Sequence, residues 1–395
     1  MSQRGFSTRS VHLTSRIDPQ THAIEVPIVL NTAFAYEDLD SWLRVALHQD
    51  PGHIYSRNSN PTCRSFEQTM ANLEGTEAAT SFSTGMAAIS GTLLALLSPC
   101  QRVVSIKDSY GATYLHFTQI LPRFQIQCDV LDTEDHEGIE AAIAQGCDLV
   151  YLESPTNPTL KVLDLERICT AAARVGAITV VDNTFATPIN QNPAALGADL
   201  VIHSATKFIC GHNDALGGVV CGRQSLVDRV YRYRELTGSA LDPFSAYLLL
   251  RSIKTLALRV RQQNENALRV AQYLEQNPAV NRVYYPGLAS HPQHEVAARQ
   301  MRGFGGVLSF DVKGGLEAIR RILPKLRYAY MAANLGQVAT IVGPPAATSH
   351  VECTEEERAA AGIPEGLVRY AVGIEDAEDL IADLEQALSA VAGGD

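Results

Sequence analysis

The sequence predicts an α/β fold: a mostly parallel sheet flanked by helices, followed by a smaller α+β unit. Three observations carry this. Apolar strand patterns alternate with helical ones from about residue 64 to 240. Beyond about 241 a long helical pattern leads into a different mixture of strands and helices. At 395 residues, 46% hydrophobic and 19% charged, the chain exceeds one ordinary domain and can bury a large core.

Residues 1 to about 50 read as irregular, with Pro19, Pro27 and Pro51. The apolar stretch Val26 to Leu30 needs cover, either from its own domain or from a partner subunit. Ser65 to Leu73 is helical, and Gly85 to Leu97 is a strongly apolar helix. Arg102 to Ile106 and Ile126 to Leu131 read as strands. A helix over Glu137 to Ala144 precedes the buried strand Asp148 to Glu153. A helix over Leu165 to Val175 precedes the strand Ala177 to Asn183. Strands Asp199 to His203 and Leu216 to Gly222 follow. In the second half, heptad-like spacing predicts one helix from about Leu248 to Gln276, stopped by Asn277-Pro278. Strands at Val280 to Tyr285 and Gly306 to Val312, a helix starting near Glu317 and a last helix from about Asp376 to Val391 complete the set.

Composition excludes several functions. The net charge is −11, spread without runs, which disfavours nucleic acid and anionic membranes as partners. The eight cysteines, Cys63, Cys100, Cys128, Cys147, Cys169, Cys210, Cys221 and Cys353, show no CxxC spacing. They read as small buried hydrophobes of a reducing compartment, with no metal site. The start MSQRGFSTRS lacks the apolar stretch of a signal peptide, and no apolar run approaches a membrane span. A cytoplasmic protein is expected.

Candidate chemistry collects at strand ends, where α/β sheets bind ligands. Asp182 ends the strand AITVV, and Lys207 lies just past the strand DLVIH, about 25 positions on. One helix between the strands places both on one rim. A buried carboxylate needs a partner. Together the two suit pyridoxal 5′-phosphate (PLP): a lysine amine forms a Schiff base with the aldehyde, and a carboxylate keeps the pyridine nitrogen protonated. Alone, Lys207 reads as a surface lysine and Asp182 as a cap or turn residue. Ser83-Thr84-Gly85-Met86 opens the apolar helix, either as an ordinary N-cap or as a dianion site on free N–H groups. Ser204 and Thr206 add hydroxyls beside Lys207.

Seven segments then show a resemblance. They are YSRNSNPT (Tyr55 to Thr62), STGMAAI (Ser83 to Ile89), YGATY (Tyr110 to Tyr114), ESPTNP (Glu153 to Pro158), VVDNTFATP (Val180 to Pro188), HSATKFICGHND (His203 to Asp214) and EGLVRYAVGIED (Glu365 to Asp376). Across nearly its full length the chain resembles the Cys/Met-metabolism PLP enzymes. This is the family of cystathionine γ-synthase, cystathionine γ-lyase, methionine γ-lyase and the homoserine sulfhydrylases. The resemblance implies the aspartate aminotransferase-like PLP-dependent transferase fold (fold type I). It implies Lys207 as Schiff-base and proton-shuttle residue, Asp182 on the pyridine nitrogen and Tyr110 stacked on the ring. Gly85, Met86, Ser204 and Thr206 match the phosphate cradle, and Thr184 joins the cofactor-binding set. Tyr55 and Arg57 match residues lent to a neighbouring subunit's phosphate. Arg369 matches the bidentate clamp on a substrate carboxylate, with Asn157 and Asn334 beside the substrate.

The same resemblance divides the chain into an arm, 1–60, that contributes to the partner's active site, a PLP-binding domain, 61–245, and a C-terminal domain, 246–395. It implies at least a homodimer and, in the family's usual form, a homotetramer. The expected reaction is γ-elimination or γ-replacement on a γ-substituted amino acid, either a sulfur amino acid or a homoserine derivative. O-acylhomoserine sulfhydrylase and methionine γ-lyase are the alternatives within that chemistry. Cystathionine β-lyase and a non-catalytic PLP-fold protein are the more distant readings.

The chain departs from the pattern in Ala333 to His350, where the family usually reads SLGGVESLISHPATMTH. Asn334 replaces a serine, Ala339 a glutamate, and Gly343-Pro344-Pro345 replaces Ser-His-Pro. Ala112 stands where methionine γ-lyases carry cysteine. Loss of the glutamate removes a charge for a distal ammonium, which speaks against cystathionine as the preferred substrate. Neutral drift in a pocket wall is the other reading.

Overall fold

The structure is a computed structural model that describes residues 4–12, 22–348, 351, 354–360 and 362–392. Pro19, Cys353 and the end of the divergent segment, Ser349-His350, lie outside the described residues.

Seven strands form the first sheet: β1 (Ala78–Phe82), β2 (Arg102–Ile106), β3 (Gln127–Leu131), β4 (Leu149–Glu153), β5 (Ile178–Asp182), β6 (Leu200–Ser204) and β7 (Gly218–Gly222). Their spatial order is β1-β7-β6-β5-β4-β2-β3. Strands β2 to β6 are mutually parallel, and β7 runs antiparallel to both its neighbours. β4 and β7 are buried along their whole length, which explains near-continuous apolar runs in place of alternation. The helices Gly85–Leu96, His136–Ala144 and Leu165–Arg174 provide the crossovers expected between parallel strands.

Two expectations change here. The crossover from β5 to β6 is not one helix but a single turn, Thr187–Asn190, and a 3₁₀ turn, Pro193–Leu196. Pro188 and Pro193 sit in the first turns of these pieces, where a missing N–H is tolerated and a longer helix is interrupted. β1 went unread because AATSF has only two strand formers, Thr80 and Phe82, among small residues; it is fixed by pairing with β7.

The first fifty residues are less irregular than expected. They hold helices at Phe6–His12 and Leu39–Ala46, the second capped by Asp38, whose Oδ1 accepts the N–H of Ser41 at 2.7 Å. The Val26 to Leu30 stretch is stitched to the helix Pro61–Glu74. Thr62 Oγ1 donates to Pro27 O at 2.8 Å and accepts from Val29 N at 3.1 Å. Among the described residues, several of the arm's apolar side chains stay uncovered by their own chain. Ile24, Leu30, Leu39 and Leu47 are 75%, 73%, 67% and 63% exposed.

The long helix of the second half is two helices, Pro243–Ile253 and Leu256–Glu275. The buried guanidinium of Arg259 donates to Ser252 O at 3.0 Å, satisfying the end of the first helix. It also reaches Phe208 O at 2.8 Å. The break therefore ties the second helix to the loop that carries Lys207.

A second sheet has order β10-β11-β12-β9-β8. Its strands are β8 (Val280–Tyr284), β9 (Val307–Val312), β10 (Tyr330–Met331), β11 (Ile341–Gly343) and β12 (Leu367–Ala371). β8 and β9 match expectation; β10, β11 and β12 were not foreseen as strands. Leu274, Phe310, Tyr370, Leu384 and Leu388 pack a core between this sheet and the helices Leu256–Glu275 and Ala377–Ala392. No described helix is long and apolar enough to cross a membrane.

Candidate active site

Three parallel strands end side by side and deliver polar groups to one rim. Glu153 and Asp182 are register partners at the ends of β4 and β5, and β6 ends on Ser204 beside them. Asp182 is buried. Its Oδ1 accepts the N–H of Thr184 at 2.9 Å, and Tyr151 donates its hydroxyl to Oδ2 at 3.4 Å. Burial pushes the Asp182 carboxyl above the usual range, while its bonds to Thr184 and the nearby His203 pull it back down.

Lys207 follows β6, on the turn after Ser204. Its Nζ donates to Asn334 Oδ1 at 2.6 Å. Burial, helped by the positive Arg369, lowers the ammonium to about 8. An amine so placed spends an appreciable fraction of its time neutral, as a nucleophile requires.

Arg369 arrives from the other sheet, on β12. It is 7% exposed, and burial lowers it to about 10. Its Nη1 donates to Asn157 Oδ1 at 3.0 Å and its Nη2 to the backbone O of Asn334 at 3.2 Å. Asn334 thus joins both cations, through its side chain to Lys207 and its backbone to Arg369. Its Nδ2 donates to Asn213 Oδ1 at 2.6 Å, and Gln337 donates to the same oxygen at 3.0 Å. These contacts fix which end of the Asn334 amide faces Lys207.

The helix Gly85–Leu96 begins against Ser204. A Cβ on Gly85 would lie 2.6 Å from Ser204 Cβ and 2.8 Å from its Oγ, so only glycine permits this approach. Thr84 caps the helix, its Oγ1 accepting from Ala87 N at 3.0 Å. The N–H groups of Gly85 and Met86 precede the first intrahelical donors and point outward with the positive end of the dipole. Ser204 N donates to Thr184 Oγ1 at 2.9 Å, which joins the β5 end to this cradle. Thr206 Oγ1 accepts from Gly217 N at 3.1 Å, next to the strand end that packs against Thr84.

The remaining predicted residues lie as follows. Tyr110 is 45% exposed at the start of the helix Gly111–Leu115, and its N–H donates to Glu153 Oε2 at 2.8 Å. Tyr55 and Arg57 form a pair in the arm, the guanidinium 5.6 Å from the ring centroid. Arg57 Nη1 donates to Glu235 O at 2.6 Å. The contacts of this pair within its own chain thus run to the arm and the helix Gln224–Thr237, not to Lys207 or Arg369.

The residues fit a PLP molecule. The rim offers an acid for a ring nitrogen, an amine of lowered basicity for an aldehyde, and a glycine-floored helix start for a phosphate. Sequence reasoning passed over Tyr151, Glu153 and Asn213. Glu153 was findable, because it ends an apolar strand just as Asp182 does. Tyr151 reads as core until its hydroxyl is placed. Asn213, with φ of 63°, is recognisable only from the turn it makes.

The family model described as Cys/Met metabolism PLP-dependent enzyme matches residues 7–389. The chain belongs to this family. It is 40% identical over 390 residues to L-methionine γ-lyase of Fusobacterium nucleatum subsp. polymorphum, covering 98% of each chain. It is 41% identical over 372 residues to the chloroplastic cystathionine γ-synthase 1 of Arabidopsis thaliana, covering 94% of this chain and 66% of that one. The solved cystathionine γ-synthase of Xanthomonas oryzae pv. oryzae in complex with cystathionine superposes with a TM-score of 0.93 at 39% identity. That match covers 98% of this chain and 99% of the other. The protein is therefore a PLP-dependent enzyme of fold type I. Its chemistry is that of the family's γ-acting lyases and synthases.

Proposed function

We propose that the protein eliminates or replaces an uncharged γ-substituent of an L-amino acid. The observation that carries this is the joining of Lys207, Asn334, Arg369 and Asn157 in one hydrogen-bonded group beside Asp182. PLP, when bound, supplies the electron sink that makes the Cα proton of an amino acid acidic. Arg369 binds the substrate carboxylate, with Asn157 holding its guanidinium in plane. Lys207 Nζ takes the Cα proton and carries protons to and from Cβ. Asp182 keeps the ring nitrogen protonated. Tyr110 covers the ring and passes a proton to the departing γ-group. Gly85, Met86 and Ser204 hold the phosphate, with Thr184 bracing Ser204; Thr206 supports the Gly217 turn behind them. Loss of the Cβ proton distinguishes this reaction from β-elimination.

Ala339 is half-buried and leaves no carboxylate at the position where, by the resemblance, enzymes that handle cystathionine commonly carry glutamate. This favours methionine, homocysteine or O-acylhomoserines over cystathionine. The exposed apolar arm supports a homodimer in which Tyr55 and Arg57 serve the neighbouring site, and pairing of dimers gives a tetramer. The division into arm (1–60), cofactor domain (61–245) and C-terminal domain (246–395), and a cytoplasmic location, complete the reading.

The test is a panel of methionine, homocysteine, cysteine, cystathionine and O-acylhomoserines, with and without a thiol. Release of 2-oxobutanoate, or a new γ-substituted amino acid when thiol is present, supports the reading. Pyruvate from cysteine or cystathionine as the sole product overturns it, and cystathionine as the best substrate overturns the preference for an uncharged group.

A further inference from the structure

Among the buried polar groups that the mechanism above leaves unused, Glu153 lies at the rim itself. It is 4% exposed, at the end of β4 and in register with Asp182. Its Oε2 accepts the N–H of Tyr110 at 2.8 Å, and the backbone of Asn157 also hydrogen-bonds to the carboxyl. One side chain thus meets the segment bearing the ring-covering tyrosine and the segment bearing the partner of Arg369.

We propose that Glu153 is a positioning residue for the reaction, tying Tyr110 and Asn157 to the end of β4 beside Asp182. This rests on the roles given above to Lys207, Tyr110 and Arg369. Its neighbours also set its charge. Asp182 faces it from β5, Asp108 from the loop after β2, and Tyr151 is two residues back on its own strand. Lys161 is bound to Asp108 at 3.1 Å. Two carboxylates buried side by side cannot both ionise beside one pyridinium. Burial and the charge of Asp182 push Glu153 well above the usual range, whereas Asp182 has Thr184 and Tyr151 as donors. Glu153 is therefore the carboxyl that holds its proton more readily, and Asp182 the one better able to carry charge. A neutral acid at 153 needs only its accepting oxygen, and an amide of the same length supplies that.

The experiment uses the holoenzyme and L-alanine, which has no γ-substituent. Alanine binding is read from the cofactor's absorption, and exchange of its Cα proton for solvent deuterium is read by NMR. Glu153→Asp keeps a carboxyl but falls one methylene short of the Tyr110 N–H; Glu153→Gln keeps the reach. We expect both variants to retain the cofactor. In Glu153→Asp exchange falls by about 10²-fold and half-saturation by alanine rises about 10-fold, as misplacement by an ångström implies. Glu153→Gln stays within about 5-fold of the parent. The proposal is overturned if Glu153→Asp exchanges as fast as the parent. It is equally overturned if Glu153→Gln falls as far as Glu153→Asp, because charge and not reach would then be at work. Parent enzyme that exchanges alanine but yields neither 2-oxobutanoate nor a new γ-substituted amino acid from the γ-substituted panel counts against the γ-chemistry alone. Parent enzyme that exchanges nothing overturns the residue roles and this proposal with them.

Discussion

Burial governs the polar residues at the strand ends. Lys207 is lowered to about 8 mainly because its charge is poorly solvated. The neutral amine, the form that attacks an aldehyde, thus grows as pH rises through about 8 and is scarce well below it. Capture of PLP by cofactor-free protein should accelerate over that range and level off above it, as stopped-flow absorbance will show. A rate independent of pH between 6.5 and 9 would contradict the placement of Lys207. Asn334 holds the same amine by a 2.6 Å bond. Asn334→Ala should leave cofactor loading intact and lower kcat by about 10-fold, the loss expected of a misoriented proton carrier. Much of this scale is legible in the sequence. Asp182 and Lys207 stand at strand ends, and Arg369 lies in a specific motif. The contact of Asn334 with Lys207 was not legible, because it joins residues 127 apart, one just after β6 of the first sheet and one between β10 and β11 of the second. Glu153 obeyed the rule that exposed Asp182 and was passed over for want of an evident partner.

At the scale of elements, the helix Gly85–Leu96 and the end of β6 close on each other where the proposed function puts the phosphate. The closeness of Gly85 to Ser204 means that Gly85→Ala must push Ser204 aside. We expect PLP affinity to fall at least about 10-fold, measured by equilibrium titration, with a smaller change in Tm, since helix propensity favours alanine. An unchanged affinity would place the phosphate elsewhere. The parallel strands were readable because buried runs such as LVYLE are nearly all apolar. β1, β10 and β11 were not readable, being short or weak in strand formers and held by their partners. The split near Lys254 was hidden for a different reason. Heptad spacing continues across it, and the cause, buried Arg259 bonded to Ser252 O and Phe208 O, is tertiary.

At the scale of the whole molecule, the arm is the unfinished part. Leu30, Leu39 and Leu47 face outward, and Arg57 meets the Tyr55 ring and Glu235 O within its own chain, not Lys207 or Arg369. The proposed homodimer would account for both. Co-expression of Lys207→Ala with Arg57→Ala chains tests this, because a mixed dimer carries one intact site and one doubly defective site. Each variant alone should be nearly inactive, and the mixture should recover about a quarter of parent activity. No recovery would mean that Arg57 acts within its own chain. The sequence foresaw the choice between self-cover and partner-cover for Val26 to Leu30. The structure pins that backbone to Thr62 while leaving much of its apolar surface bare.

The central claim is that the enzyme works at Cγ, which requires a proton to leave Cβ as well as Cα. L-norvaline carries no leaving group, so proton exchange can be followed without turnover. Incubated with holoenzyme in deuterium oxide, norvaline should lose NMR signal at both Cα and Cβ, and Lys207→Ala should lose neither. Exchange confined to Cα in the parent enzyme would contradict the account.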